Sequence, residues 1–158
     1  MGLIEDLGPG PVALDTAIFI YFIEEHATFL PVVEPIFEAI QAGRIEAVTS
    51  TLTLLETLVI PYRAGNAPLA EQYEALLTRS GHFKLVELDH ALLRTAAQLR
   101  ARFRIKTPDA LQVSAALATG CKTFLTNDRK LPTIAGLAIL DLASYADAPR
   151  GQSKARRK

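Results

Sequence analysis

Thr107-Pro108-Asp109-Ala110-Leu111-Gln112-Val113-Ser114-Ala115-Ala116-Leu117-Ala118-Thr119-Gly120, followed at once by Cys121-Lys122-Thr123-Phe124-Leu125-Thr126-Asn127-Asp128, reads as one helix and one strand joined at a glycine. Threonine is a favoured N-cap and proline is preferred at the first helical position, so the helix is expected to start here with Thr107 as its cap. Gly120 stops it. Lys122 to Thr126 then forms a short strand that delivers Asn127 and Asp128.

The same alternation runs through the rest of the chain. Pro11-Val-Ala-Leu-Asp15 reads as a short buried strand ending on a carboxylate, and Thr16 to Glu25 follows as an apolar helix with an acidic end. A helix is expected over Val32 to Ala42, with Gly43 in the C-cap position. Ile45 to Thr49 is the next strand, after which Ser50 or Thr51 caps a helix running to about Arg63 with a kink at Pro61. Asn66 to Ser80 reads as a helix closed by Gly81, and Phe83 to Glu87 as a strand. Asp89 or His90 opens a helix to about Phe103, whose apolar stripe is Leu92, Leu93, Ala96, Leu99 and Phe103. Leu137 to Leu142 is the last strand. Strands alternating with helices imply α/β architecture, with a central parallel sheet of four to five strands covered on both faces. One domain is expected over residues 1–147, and residues 148–158, basic and without periodicity, as a disordered tail.

Composition agrees with one folded domain. The chain has 158 residues, 49% of them hydrophobic and 22% charged, which is far from the signature of disorder. The strongly apolar run Ala17 to Ile23, bounded by Asp15 and Glu24, is much shorter than the roughly 20 residues of a bilayer span. No membrane helix is expected, and the acidic N-terminus lacks the pattern of a secretory signal, so the protein is read as cytoplasmic. Cys121 is the only cysteine, which removes internal disulfides and the usual cysteine frameworks for zinc, and it reads as a small buried hydrophobe. His26, His82 and His90 are scattered, with no pair at ligand spacing. Seventeen basic and seventeen acidic residues cancel, which argues against indiscriminate polyanion binding.

The acidic residues are not spread at random. Ligands bind open parallel sheets at the carboxyl ends of the strands. Asp15 and Asp128 each close a strand, and Asp109 lies in the first turn of a helix packed beside them. Each also has an ordinary reading as a helix-capping aspartate. Glu56 is different, because Leu52, Thr53, Val59 and Ile60 lie three and four positions away and set its carboxylate in largely apolar surroundings. Four carboxylates converging without matching arginines repel one another, and a hard divalent cation is the natural neutraliser. All-oxygen ligands favour magnesium or manganese, which suit activation of water for phosphodiester hydrolysis. Thr16, Thr126 and Asn127 stand beside the carboxylates as supporting polar groups.

The segments LDTAIFIYFIE around Asp15, TLTLLETLVIPYR around Glu56, KTPDALQVSAALATG around Asp109 and FLTNDRKL around Asp128 together resemble the PIN domain, particularly the VapC toxins of toxin–antitoxin pairs. The likeness covers roughly residues 10 to 145. It implies a metal-dependent endoribonuclease, usually a homodimer, restrained by a small antitoxin whose tail enters the active site. By position, Asp15 and Asp109 would be the principal ligands of Mg2+ or Mn2+, with Glu56 and Asp128 completing the site directly or through water. No member of the quartet is missing.

Arg100, Arg102, Arg104 and Lys106 lead into Thr107 and are candidates for contact with an RNA backbone. A solvated helix end is the alternative for them. The chain has no tryptophan and no interleaved stacking aromatics, so a flat base-reading platform is not indicated. Two other readings compete. A phosphohydrolase or phosphotransfer domain could use an aspartate ending the first strand, but the haloacid dehalogenase pattern wants a second aspartate where Ala17 stands. A non-enzymatic interaction module is suggested by the nearly all-round apolar helix Leu52 to Ile60.

Overall fold

Strand β1 (Val12–Leu14) is buried at every residue and lies at the centre of a five-stranded sheet ordered β3-β2-β1-β4-β5. The other strands are β2 (Ala47–Ser50), β3 (Phe83–Val86), β4 (Thr123–Thr126) and β5 (Ala138–Asp141), and every pairing is parallel. The three inner strands are wholly buried, as their near-continuous apolar and threonine-rich sequences require, while the edge strands β3 and β5 are only partly so. The computed structural model describes residues 2–146; the basic tail expected over residues 148–158 lies outside them.

Helices cover both faces. They are α1 (Leu3–Leu7), α2 (Thr16–Ile23), α3 (Leu30–Gln41), α4 (Thr51–Arg63), α5 (Ala67–Glu74, running on as a π-helical stretch Ala75–Arg79), α6 (His90–Arg102), α7 (Thr107–Ala118) and α8 (Leu142–Ala146). Alternation along β1 divides the core: Val12 and Leu14 pack with Phe19 of α2 and Ile36 and Phe37 of α3, whereas Ala13 packs with Val113 and Ala116 of α7. On the first face Phe22 stacks on Phe37 with ring centroids 3.9 Å apart, and Phe19 meets both Phe37 and Phe83 edge-on.

The element order agrees with the reading of the sequence, with several corrections. Thr107 is the first helical residue of α7, and Lys106 takes the capping position without a side-chain bond. Helices α1 and α8 were not expected. Leu93 is 45% exposed and falls off the α6 stripe, which is carried by Leu92 and Ala96. Asn66, Asp89 and Ser50 cap α5, α6 and α4 through side-chain oxygens. Gly120 adopts φ +69°, the left-handed conformation that lets the chain leave α7, and Cys121 N–H then bonds back to Ala116 O at 3.0 Å. Cys121 itself is buried in the core. Among the described residues no helix is long and apolar enough to cross a membrane.

Sheet order decides where the chemistry sits. The chain winds outward from β1 through β2 to β3, then returns to place β4 on the other side of β1. The carboxyl ends of β1 and β4 therefore meet at the point where the winding reverses, which is where open parallel sheets leave a crevice.

Candidate active site

Asp15 leaves β1 at this crevice as the N-cap of α2, with Oδ1 accepting the Thr16 N–H at 2.8 Å. Its own N–H bonds to Leu125 O at 3.0 Å, which extends the ladder between β1 and β4 by one step. Oδ2 accepts the Thr126 hydroxyl at 2.7 Å, and Thr126 Oγ1 accepts the Asp128 N–H at 3.0 Å. Thr126, completely buried, thus ties the first carboxylate to the backbone of the second. Asp128 Oδ1 in turn accepts the Lys130 N–H at 2.9 Å.

Asp109 comes from the third side. It stands in the first turn of α7, just before the helix becomes buried from Ala110 to Ala116, and lines the crevice. Asp15, Asp109 and Asp128 line one cavity of about 440 Å³, with Arg104, Lys106 and Lys130 supplying positive charge and Tyr21 and Asn127 a neutral polar wall. Asn127 Nδ2 donates to Tyr21 Oη at 2.9 Å.

Two of these carboxyls, Asp15 and Asp109, bind a proton more readily than an ordinary aspartate. Burial raises Asp15, with bonds from Thr126 and Thr16 opposing it and the Asp128 charge adding to it. Burial also pushes Asp109 up to about 6, reinforced by its hydrogen bond with Asp128 and by the charges of Asp128 and Asp15, while Lys106 acts in the other direction. The hydrogen bond with Asp128 and the like charges beside it favour the protonated form of Asp109.

The donor set fits a hard divalent cation. The anionic groups lining the cavity are carboxylates, no thiol or imidazole is among its lining residues, and the proton affinity of Asp15 and Asp109 is raised first by burial and then by neighbouring carboxylates. Among the described residues no group of three or more His, Cys, Asp or Glu side chains is already arranged as a metal site, so side-chain adjustment would accompany binding.

Glu56 does not line this cavity. Its setting is also more polar than expected: Val59 and Ile60 are exposed, by 41% and 66%, and Glu56 Oε1 accepts the Thr16 hydroxyl at 2.7 Å. Thr16 therefore stands between Glu56 and Asp15, touching one through its hydroxyl and the other through its amide.

Of the four basic candidates, Arg104 and Lys106 reach the cavity. Arg100 and Arg102 are placed elsewhere. Arg100 Nε donates to Ile105 O at 3.1 Å and braces the turn into α7, and Arg102 lies over the Phe103 ring at 5.4 Å. Lys130 and Tyr21 line the cavity without having been singled out from sequence. Gln112 is a further addition: buried one helical turn beyond Asp109, it donates from Nε2 to Thr53 Oγ1 at 2.8 Å and Thr16 Oγ1 at 3.3 Å. Its Oε1 accepts the Ser50 hydroxyl at 2.9 Å. A glutamine in an otherwise apolar helical run was the available signal.

The family model described as PIN domain matches residues 12–137, a span that holds all four acidic candidates and every strand but β5. The chain belongs to the PIN domain family. No curated protein sequence matches it. Solved structures with the same fold include a chain of a toxin–antitoxin complex from Klebsiella pneumoniae, with TM-score 0.61, 18% identity, and coverage of 80% of this chain and 95% of that one. VapBC2 from Rickettsia felis, bound to a DNA fragment from its promoter, gives 0.61 at 20% identity, covering 84% and 98%. FitAB bound to an IR36 DNA fragment gives 0.65 at 18% identity, covering 83% and 94%. At such identities the likeness establishes the PIN fold.

Proposed function

We propose that this PIN domain is a Mg2+- or Mn2+-dependent endoribonuclease and the toxin of a toxin–antitoxin pair. The observation that carries the reading is the meeting of Asp15, Asp109 and Asp128 on one cavity rimmed by Arg104, Lys106 and Lys130. Asp15, Asp109 and Asp128 would hold the cation, with Glu56 contributing from behind Thr16. A bound divalent cation supplies an acidified water and neutralises charge developing on the phosphoryl oxygens.

The chain's own residues do the rest. Thr126 and the Thr16 amide fix the Asp15 carboxylate by one bond to each oxygen, so its orientation is set before any ligand arrives. Asp109 must give up its proton before its carboxylate can act as a ligand. Arg104, Lys106 and Lys130 attract and orient the anionic strand at the mouth of the cavity. Attack by water needs no covalent nucleophile, which separates this reading from a phosphotransfer aspartate.

The partners follow from the same reading. Helix α4 exposes Leu55, Ile60 and Tyr62 by 60%, 66% and 61%, an apolar surface that supports a protein partner. Ile60 lies one turn from Glu56, so an antitoxin segment on α4 would lead toward the acidic cavity and could place a lysine or arginine there. A homodimer belongs to the same reading, and light scattering tests it.

The deciding experiment is cleavage of RNA by purified protein freed of any partner. Cutting is expected only with magnesium or manganese, leaving 5′-phosphate and 3′-hydroxyl ends. Chelator-resistant cleavage ending in a cyclic phosphate would rule out the mechanism, and release of phosphate from simple phosphoesters without RNA cleavage would favour the phosphohydrolase alternative.

A further inference from the structure

We propose that Gln112 is a positioning residue for the reaction, whose side-chain amide keeps the Thr16 hydroxyl turned toward Glu56. The proposal rests on the ribonuclease reading and deepens it, by giving a buried residue of α7 outside the cavity lining a part in orienting the acidic site. Each threonine hydroxyl has one hydrogen to give, and the contacts around Gln112 use every one. Thr49 Oγ1 gives its hydrogen to Leu14 O at 2.9 Å. At the 2.7 Å contact between Thr49 and Thr53 the donor must then be Thr53. Thr16 gives its own hydrogen to Glu56 Oε1 at 2.7 Å. Thr16 Oγ1 and Thr53 Oγ1 therefore face each other at 3.1 Å with no hydrogen left for the space between them. Two buried oxygens so placed repel unless a third group supplies donors.

Gln112 is that group. Its Nε2 carries two hydrogens, and it sends one to Thr53 Oγ1 at 2.8 Å and the other to Thr16 Oγ1 at 3.3 Å. Because Thr53 has already given its hydrogen to Thr49, it can only accept, so the nitrogen end of the amide must face the two threonines. The oxygen end is fixed separately: Oε1 accepts the Ser50 hydroxyl at 2.9 Å, and Ser50 Oγ accepts the Leu52 N–H at 3.2 Å where α4 begins. Without the amide hydrogens, Thr53 Oγ1 is left as a buried acceptor with no donor. The Thr16 hydroxyl then has a rival acceptor 3.1 Å away and turns to it at the expense of Glu56. The Thr16 N–H stays on Asp15 Oδ1, so the loss falls on Glu56 and spares Asp15.

A glutamine that only packs α7 would show losses that multiply when a second buried polar group is removed, whereas a positioning residue shows rescue. Gln112→Met keeps the length of the side chain and removes both N–H donors, and RNA cleavage with magnesium should fall about tenfold. Adding Thr53→Val takes away the hydroxyl toward which Thr16 turns, so Glu56 is again its acceptor and most of the lost activity should return. In a Thr16→Val background, Gln112→Met should cost no further activity. Neutron diffraction from crystals of the metal-free chain grown in heavy water reads the same switch without any reaction. The Thr16 deuterium should point at Glu56 Oε1 in the wild type and at Thr53 Oγ1 in Gln112→Met. A wild-type deuterium aimed at Thr53 overturns the proposal, and this measurement decides the matter if Gln112→Met does not fold. In a wild type that does cut RNA, unchanged cleavage by Gln112→Met, or losses that multiply with no rescue by Thr53→Val, overturn the positioning role alone. Wild-type protein that cuts no RNA overturns the ribonuclease reading, and with it the part of Gln112 in the reaction.

Discussion

The hydroxyl of Thr16 donates to Glu56 Oε1 at 2.7 Å, and this is the bond by which the acidic residue of α4 is joined to the mouth of β1. The same threonine gives its N–H to Asp15 at 2.8 Å, so one residue orients two carboxylates, one at the end of β1 and one on the helix that follows the neighbouring strand β2. A group that fixes the ligands of a metal commonly changes affinity or activity by about 10–100-fold when removed.

Thr16→Val tests this bridge. Valine keeps the shape and the backbone N–H but removes the hydroxyl, so Asp15 retains its amide donor while Glu56 loses its partner. Cleavage is expected to fall about 10–100-fold with the fold intact. Activity within twofold of wild type would mean that Glu56 acts independently of Thr16 or has no part in the reaction.

Gln112 is expected to matter for stability first. Its amide joins Ser50, Thr53 and Thr16, all buried, so Gln112→Leu removes the acceptor of the Ser50 hydroxyl and a donor to Thr53 and Thr16, which keep other partners. The cost should be roughly 1–3 kcal/mol, read as a lower urea midpoint. An unchanged midpoint would show that the Ser50 hydroxyl finds another acceptor at no cost.

Much of the site was legible because its pieces lie at ends of regular elements. Alternating apolar strands and capped helices located Asp15, Asp109 and Asp128, and parallel winding implied that strand ends converge. What stayed hidden depends on tertiary packing. Helices α1 and α8 have five residues each, too short to express a helical period or to be stable in isolation; Leu3, Leu7 and Leu142 hold them by burial in the core. Pro108 signals the start of α7 but is accommodated at either of its first two positions, so the capping residue was displaced by one. Helical spacing around Glu56 could not reveal that Val59 and Ile60 face outward or that a threonine on another helix would bind its carboxylate. Gln112 looked like one polar residue in an apolar helix, because its partners come from β2, α2 and α4.

The Asp109 carboxyl provides a pH signature. Its folded value of about 6 lies above the ordinary 3.8, so the protonated form is favoured by the fold. Its contribution to stability is fully present below about 3.8 and is lost as pH rises through 6. In chelator, the stability of wild type relative to Asp109→Asn should therefore decline between those values. With Mn2+ present, apparent metal affinity should climb over the same interval, because Asp109 must release its proton before it can ligate. A calorimetric titration with no proton release and pH-independent affinity would contradict this assignment.

Asp109→Asn separates stability from activity. The amide cannot carry the charge that Asp128 and Asp15 oppose, so the metal-free variant should be as stable as wild type at pH 7.5, or more stable. Cleavage should nevertheless fall by orders of magnitude, since a neutral amide is a poor ligand for a hard cation. Manganese should raise the wild-type melting temperature by binding the native state, and should raise that of the variant much less. An aspartate whose only task is to favour the first turn of α7 predicts the opposite pattern: a loss of roughly 0.5–2 kcal/mol, near-normal cleavage and an unchanged response to manganese. Melting curves with and without manganese, run beside RNA cleavage on the same preparations, distinguish the two, and a destabilised variant that still cuts RNA would remove Asp109 from the site.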